Sequence, residues 1–589
     1  MNKIENDIIK TIYKEKNINQ RYLSKLLGYS LGIINKSMKK LKDDGYLDDA
    51  YQLTNYTLDL VDKNKPKNAV ILAAGMGLRL TPINQDLPKA LIYIKNQTLI
   101  ENIIVNLKEQ NINEIYIVVG YMKEKFDYLV DLYDVKLIVN DCYSSMNNLY
   151  SLYLARKYIS NTYIIPCDLY VDYNPFNQLE FNSWYLVDNE KEESNYKKNK
   201  DGIIKYKTKK VLDYKPLGIA YINYIDSINV KKLFKNIDNG IFYKENSYWE
   251  DYIIKNDIPL FYEKNKGYVK EINTFEELRD VDASSKSLST EIIDIITNSL
   301  NVTIQDIGNI RLSKKGMTNK SFIFEAKNKK YMMRIPGEGT DQLINRKEEG
   351  DVYHVISPYH LSDEVIYFNK NNGYKITRFI ENSRVCDMYD VNDLNLAMDL
   401  LREFHHMNLK VEHSFDIFEK IEFYESLRNG KQSLYNDYGQ TKKKIYQLKN
   451  IIEKCPKHIS LTHIDAVPDN FLIYEDKGKT KIKLIDWEYA SMQDTDVDLA
   501  MFCIYSMYER KDVDQLIEIY YQGKCPKIIR LKIYCYIAIC GFLWSNWCEY
   551  KYLLGIEFGE YSLAQYRYAK DYYKIVMNEF NDVEGIDYV

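Results

Sequence analysis

Ala69-Val70-Ile71-Leu72-Ala73-Ala74-Gly75-Met76-Gly77-Leu78-Arg79 decides the fold of the region around it. Ala69 to Ala73 reads as a buried strand that runs directly into a glycine-rich turn. Without Cβ atoms in the way, the backbone N–H groups of such a turn can close around phosphate oxygens. A dinucleotide site would need G-x-G-x-x-G and a ribose-binding acid, but residue 80 is Leu, so that reading is rejected. Ten residues beyond Arg79, Leu87-Pro88-Lys89-Ala90-Leu91 adds a lysine. Further on, Tyr163-Ile164-Ile165-Pro166 is a second apolar strand, with Cys167-Asp168 at its C-terminal end, where α/β sheets hold their ligands. From residue 67 to about 282, short apolar strands alternate with amphipathic helices, which predicts a parallel sheet.

The loop, Arg79, Lys89 and Asp168 together resemble the nucleotidyltransferases that join NTPs to sugar phosphates or choline phosphate. Asn140-Asp141-Cys142-Tyr143-Ser144-Ser145-Met146-Asn147-Asn148-Leu149-Tyr150-Ser151-Leu152 is similar to the N…NN-x-x-S-L segment of Lic-type CTP:phosphocholine cytidylyltransferases, and Tyr248-Trp249-Glu250-Asp251 to their aromatic-Trp-acid segment. The resemblance implies a Rossmann-like domain over 67–282. In it Ala74, Gly75, Met76 and Gly77 surround the CTP triphosphate, and Arg79 and Lys89 neutralise its charge. Asp168 and Glu250 hold Mg²⁺, with Asp251 as the adjacent alternative, and Asn147, Asn148 and Trp249 bind phosphocholine. The Lys/Asn/Glu-rich stretch Asp188 to Lys210 departs from the family's pattern.

A second set of motifs lies beyond the small, polar residues 283–290, which read as a linker. Leu461-Thr462-His463-Ile464-Asp465-Ala466-Val467-Pro468-Asp469-Asn470 carries H-x-D, four residues, then Asn, and the apolar strand Ile482 to Ile485 delivers Asp486 in Ile-Asp-Trp-Glu-Tyr-Ala. This order resembles the catalytic segment of aminoglycoside- and choline-kinase-like phosphotransferases, which implies a protein-kinase-like two-lobed domain over 291–589. Asp465 would accept or orient the substrate hydroxyl proton, while Asn470 and Asp486 hold Mg²⁺. Lys315 to Lys320 would cover the ATP phosphates through Gly316, Thr318 and Asn319. Arg334 stands where protein kinases have their strand lysine, with Glu348 or Glu349 as its helix partner. Lys375 to Ile380 resembles the adenine-receiving hinge, with Phe379 at the base. Gly541 to Trp547, Phe558 to Tyr561 and Tyr566 to Ala569 are similar to Lic-type choline kinases, which assigns Glu488, Trp544, Trp547 and Tyr561 to the substrate. Trp544 and Trp547, at i and i+3, share one helix face. They are either core aromatics or the wall of a cage for a quaternary ammonium, which cannot donate hydrogen bonds, and the neighbouring motifs favour the cage. His405 and His406 have no acid at metal spacing and read as structural.

Residues 1–66 resemble a winged helix-turn-helix, with leucine and isoleucine at helical spacing, Gly28-Tyr29-Ser30 as the turn and Ser30 to Lys42 as the recognition helix. Twelve basic and nine acidic residues give a net charge of only +3, so DNA binding and protein contact both stay open. Neither motif set draws a residue from this stretch, which predicts that deleting residues 1–62 leaves both catalytic rates within a few-fold.

The whole chain, with 589 residues and a net charge of -4, allows three or more domains and excludes a globally basic nucleic-acid protein. Nine scattered cysteines without C-x-x-C pairs, and a charged N-terminus, predict reduced thiols in a cytoplasmic protein. The apolar run Ile533 to Trp544 is too short to span a bilayer, so no membrane insertion is expected. The fold class expected is therefore multidomain α/β and α+β. The expected function is production of CDP-choline from choline, ATP and CTP, which the resemblance ties to phosphocholine decoration of bacterial surface polymers. The alternatives are the same chemistry on another amino alcohol or sugar phosphate, or a DNA-binding regulator whose enzyme domains sense metabolites.

Overall fold

The computed structural model describes residues 2–15, 18–85, 87–237, 248–313, 319–337 and 343–580. The chain forms two compact units, Met1–Ile295 and Ile296–Val589.

In the first unit the helices Gln20–Leu27 and Leu31–Asp43 are joined by Gly28 at φ 72°, and Ser30 caps the second one. The expected wing reduces to a single bridge between Leu47 and Leu53. The helix Lys3–Lys14 turns Ile8, Ile9 and Ile12 into a core shared with Leu179 and Phe181, so this module is packed onto the nucleotidyltransferase fold.

Among the described residues the sheet of that fold has seven strands, in the order Phe261–Lys264, Trp184–Lys198, Ile204–Ile222, Thr162–Pro166, Asn68–Ala73, Glu114–Val119 and Lys136–Val139. Asn68–Ala73 is buried along its whole length and lies parallel to both neighbours, with Ile71 opposite Ile117 and Ile165. The expectation of a parallel sheet also holds for Glu114–Val119 with Lys136–Val139 and for Phe261–Lys264 with Trp184–Lys198, but not for the strand between. Ile204–Ile222 runs antiparallel to Thr162–Pro166 and to Trp184–Lys198. The cause is local: the polar stretch 188–210 forms a long hairpin with Gly202 at φ 83°, and strands joined this tightly can only be antiparallel.

The stretch 283–290 is packed rather than extended. Ser287 Oγ accepts from Tyr93 N at 3.0 Å, Asp282 accepts from Lys95 N at 2.8 Å, and Leu288 is buried.

The second unit begins with an antiparallel five-stranded sheet, in the order Ile307–Leu312, Asn319–Ala326, Lys329–Pro336, Lys375–Arg378 and Val365–Phe368, beside the helix Arg346–Ile356. A helical part follows, centred on Lys527–Leu553. The run Ile533 to Trp544 belongs to this 27-residue helix, which is long and apolar enough to cross a bilayer by length and composition. Its most apolar window is 83% buried within the fold, as a core helix requires.

Candidate active sites

In the first unit, the turn leaving Asn68–Ala73 opens into a cleft of about 590 Å³ lined by Ala74 to Arg79, Lys89, Asn147, Asn148 and Asp168. Gly77 sits at φ 61°, and a Cβ there would stand 3.0 Å from Lys89 Cβ, so glycine is needed both for the turn and for the approach of Lys89. Lys89 Nζ lies 2.6 Å from Asp168 Oδ2 and 2.7 Å from Asn273 Oδ1, and Arg79 Nη2 donates to the same Asn273 oxygen at 2.9 Å.

Asn273 is the site residue that the sequence reading missed. It arrives through strand pairing, since Val269–Glu271 runs antiparallel to Leu169–Val171, which directly follows Asp168. The available signal was the capping box of Thr274 and Glu277, which marks a strand-to-helix turn.

One assignment in the aromatic-Trp-acid segment needs correction. Trp249 is 2% exposed, packs with its ring tilted against Tyr185 at 5.8 Å and belongs to the core rather than to the cleft, whereas its neighbour Tyr248 lines the cleft. Asp251 is engaged by the Tyr196 hydroxyl and by Lys255 at 3.8 Å and is not among the residues lining the cleft. Glu250 lies outside the lining, although it feels the charge of Asp168. Asn148 accepts from Trp249 N at 2.9 Å and also bonds the Glu250 carboxylate, while Glu250 Oε2 is buried without a partner. Burial, with Asp251 and Asp168 nearby, pushes the Glu250 carboxyl up to about 7.

In the second unit, a cleft of about 590 Å³ brings together Asn319, Arg334, Asp465, Asn470, Asp486, Glu488, Trp544, Trp547 and Tyr561. Gly316 and Thr318 lie outside the described residues. Glu349, not Glu348, is the partner of Arg334: Nη2 lies 2.6 Å from Glu349 Oε1, and Nη1 lies 3.2 Å from Asp486 Oδ1. Asn470 Nδ2 donates to the Asp465 backbone oxygen at 2.8 Å and to Oδ2 at 3.1 Å. Burial, together with Asp486 and Glu488, pushes the Asp465 carboxyl up to about 8.

Glu488 faces this cleft, but its Oε2 is committed to Arg346 at 3.2 Å and Asn319 at 3.1 Å. It therefore ties Arg346 and Asn319 together while still lining the cleft. Phe379 is a further correction. It lines a separate cavity of about 740 Å³ with Tyr474 and Lys483, whereas Lys375 and Thr377 of the preceding strand face the cleft. Trp544 and Trp547 meet edge-to-face at 5.5 Å, and Tyr489 meets Trp544 at 5.8 Å, so the aromatic wall is continuous with the chamber that holds Asp465.

The two clefts define a nucleotidyltransferase and a kinase-fold phosphotransferase on one chain. Family models agree, matching a MobA-like NTP transferase domain over residues 69–176, a choline/ethanolamine kinase over 310–535 and a winged helix-turn-helix DNA-binding domain over 1–48. The chain is 34% identical over 237 residues to the choline-phosphate cytidylyltransferase of Streptococcus pneumoniae, covering 37% of this chain and 98% of that one. It is 28% identical over 268 residues to the protein LicA of Haemophilus influenzae, covering 42% of this chain and 76% of that one. Its second unit is similar to a crystal structure of the choline kinase LicA from Streptococcus pneumoniae, at 26% identity and a TM-score of 0.43, covering 49% of this chain and 100% of that one. The chain belongs, through its first unit, to the choline-phosphate cytidylyltransferase family. With the kinase domain attached, it is a bifunctional enzyme.

Proposed function

We propose that the chain makes CDP-choline in two consecutive reactions. Choline is phosphorylated by ATP in the second unit, and phosphocholine then takes the cytidylyl group of CTP in the first, releasing pyrophosphate. The observation that carries this reading is the aromatic wall of Trp544, Trp547 and Tyr561 in the same cleft as Asp465. A trimethylammonium needs π faces rather than hydrogen-bond acceptors, and its hydroxyl must reach a general base.

In the kinase reaction Asp465 accepts the choline hydroxyl proton as the oxygen attacks the γ-phosphorus, and ADP leaves. Arg334, held by Glu349, neutralises phosphate charge, as the strand lysine does in protein kinases. In the transferase reaction a phosphocholine oxygen attacks the α-phosphorus of CTP. The N–H groups of Gly75 to Gly77 cradle the triphosphate, while Arg79 and Lys89 balance its charge.

Both sites suit Mg²⁺, which takes hard oxygen donors and substrate phosphates. In the first site, Asp168 Oδ2 and Asn273 Oδ1 both converge on the Lys89 ammonium and are the oxygens we assign to the ion, with the buried, unpartnered Glu250 Oε2 as the alternative donor. In the second, the donors are Asp486 and the amide oxygen of Asn470. When bound, the ion neutralises phosphate charge and sharpens in-line geometry.

A cytoplasmic setting fits the supply of ATP and CTP and the nine free thiols. The test is mass spectrometry of products after incubation with choline, ATP, CTP and Mg²⁺. Phosphocholine and CDP-choline are expected, and absence of either product would overturn the corresponding half of the proposal.

A further inference from the structure

Lys375 opens the strand Lys375–Arg378, is buried, and lines the kinase cleft. It stands directly opposite Arg334 on the neighbouring strand, so both cations leave the same face of the sheet. Like charges in that register repel, and an ammonium taken out of water needs a compensating partner. Arg334 has Glu349 and Asp486. Among the described residues, Lys375 has no carboxylate at ion-pair distance. Its Nζ donates to the Tyr353 hydroxyl at 2.6 Å and lies 4.7 Å from the centre of that ring. Burial and the Arg334 guanidinium pull the ammonium below its usual range, with Asp363, Asp486 and Glu349 acting the other way. An apolar side chain would fill this place without that cost.

Tyr353 is itself buried and lies one turn beyond Glu349 on the helix Arg346–Ile356, so the two side chains share a face. The spacings on the two elements match. Neighbouring strands are about 4.8 Å apart, and a helical turn rises about 5.4 Å. Two cations opposite each other on adjacent strands therefore meet two acceptors one turn apart on the helix: Arg334 meets Glu349 at 2.6 Å, and Lys375 meets Tyr353. One link would leave the helix free to roll about it. Two links in parallel fix its rotation, and with it the direction from which Glu349 holds the Arg334 guanidinium.

We infer that Lys375 is a positioning residue for the kinase reaction. By docking the helix through Tyr353 it sets the Glu349 carboxylate, which in turn aims Arg334 at the ATP phosphates. The sequence reading gives Lys375 only a place in the adenine hinge, because its partner lies 22 residues upstream on a different element. The inference rests on the reading of the second unit as a kinase in which Arg334 neutralises phosphate charge.

The test is a double-mutant cycle of Lys375→Met, which keeps the bulk but removes the charge and the donors, with Glu349→Gln. ATP-dependent choline phosphorylation is measured on both single variants, the double variant and the wild type. Lys375→Met alone should lower kcat by about ten- to a hundred-fold, the loss expected for a buried hydrogen bond from a charged group, with KM for choline within about two-fold. In the Glu349→Gln background the same change should cost less than about three-fold, because the residue through which it acts is already gone. Losses that multiply across the cycle, or wild-type turnover by Lys375→Met, would overturn the inference. So would a loss expressed mainly as a raised KM for ATP, which would make Lys375 a direct ATP ligand. If Lys375→Met does not fold, Tyr353→Phe takes its place, since it removes only the acceptor. That protein should lose about five- to fifty-fold in kcat, and an unchanged kcat would overturn the inference. A wild-type protein that phosphorylates no amino alcohol would instead sink the kinase reading, and this inference with it.

Discussion

Lys10, on the first helix of the chain, forms an ion pair with Glu180, whose side chain is 1% exposed and which also accepts from the Tyr163 hydroxyl at 3.1 Å and Asn177 Nδ2 at 2.8 Å. The winged-helix module thus supplies the counter-charge to a carboxylate buried in the transferase, beside the strand Thr162–Pro166 that leads to Asp168. The sequence reading has deletion of residues 1–62 sparing both catalytic rates; the ion pair adds that the module contributes to the first unit's stability. Lys10→Met should strand the Glu180 charge and destabilise the first unit by about 3–5 kcal/mol, read as a lowered thermal transition. The double variant Lys10→Met with Glu180→Met should regain most of it. A single variant as stable as wild type would refute the assignment.

The two reactions should be separable. Asp465→Ala should abolish choline phosphorylation and leave cytidylyl transfer from supplied phosphocholine near wild type, and Asp168→Ala should do the reverse. Each acid belongs to a different unit and a different cleft. A folded variant that silenced both reactions would contradict this.

Asn273→Ala should weaken the transferase by about ten- to a hundred-fold in kcat/KM and raise the Mg²⁺ concentration needed for half-maximal rate. Glu250→Gln should leave that Mg²⁺ requirement nearly unchanged. The reverse ranking would restore Glu250 as the metal carboxylate.

Kinase activity should depend on pH through Asp465. Its carboxyl is raised to about 8 by burial and by Asp486 and Glu488, so in the free enzyme it is protonated below that pH and cannot accept the choline proton. The kcat/KM for choline should therefore fall as pH drops through about 8. Higher Mg²⁺, by offsetting the Asp486 charge, should move the limb to lower pH. A profile flat from pH 6 to 9, where ~99% and ~10% of such a group are protonated, would count against Asp465 as the base.

Trp544→Leu and Trp547→Leu should each cost about 0.5–2 kcal/mol of choline recognition, roughly two- to thirty-fold in kcat/KM, with ATP handled almost normally. The preference for choline over ethanolamine should shrink, because ethanolamine can be held by hydrogen bonds. Equal losses for both alcohols together with lowered thermal stability would point to core packing.

What could be read from the sequence was local in the chain. Gly75 to Lys89 and Asp465 to Asp486 are motifs whose spacing is set by one strand and one turn, and the structure gathers each set in one cleft. Asn273 was hidden because it reaches Asp168 through a strand pairing about a hundred residues away along the chain. Trp249 was misassigned because its burial is decided by packing on Tyr185, not by its own segment. Phe379 was misassigned because the strand ends at Arg378, so the alternation that turns Lys375 and Thr377 into the cleft does not extend to it. The antiparallel hairpin escaped because its polar outer half has no period to read.

Lys89 carries a consequence for the order of events. Its ammonium already satisfies Asp168 and Asn273, so without ligand both of these oxygens are occupied. A ligand must then exchange partners with Lys89 rather than fill a gap. A triphosphate arriving with its own cation can do so, drawing Lys89 to its oxygens while the cation takes over the vacated donors. Phosphocholine, whose single phosphate is partly offset by its own ammonium, is a weaker claimant. The transferase should therefore load its substrates in sequence, nucleotide before phosphocholine, with the lysine serving as a latch that only the first comer opens.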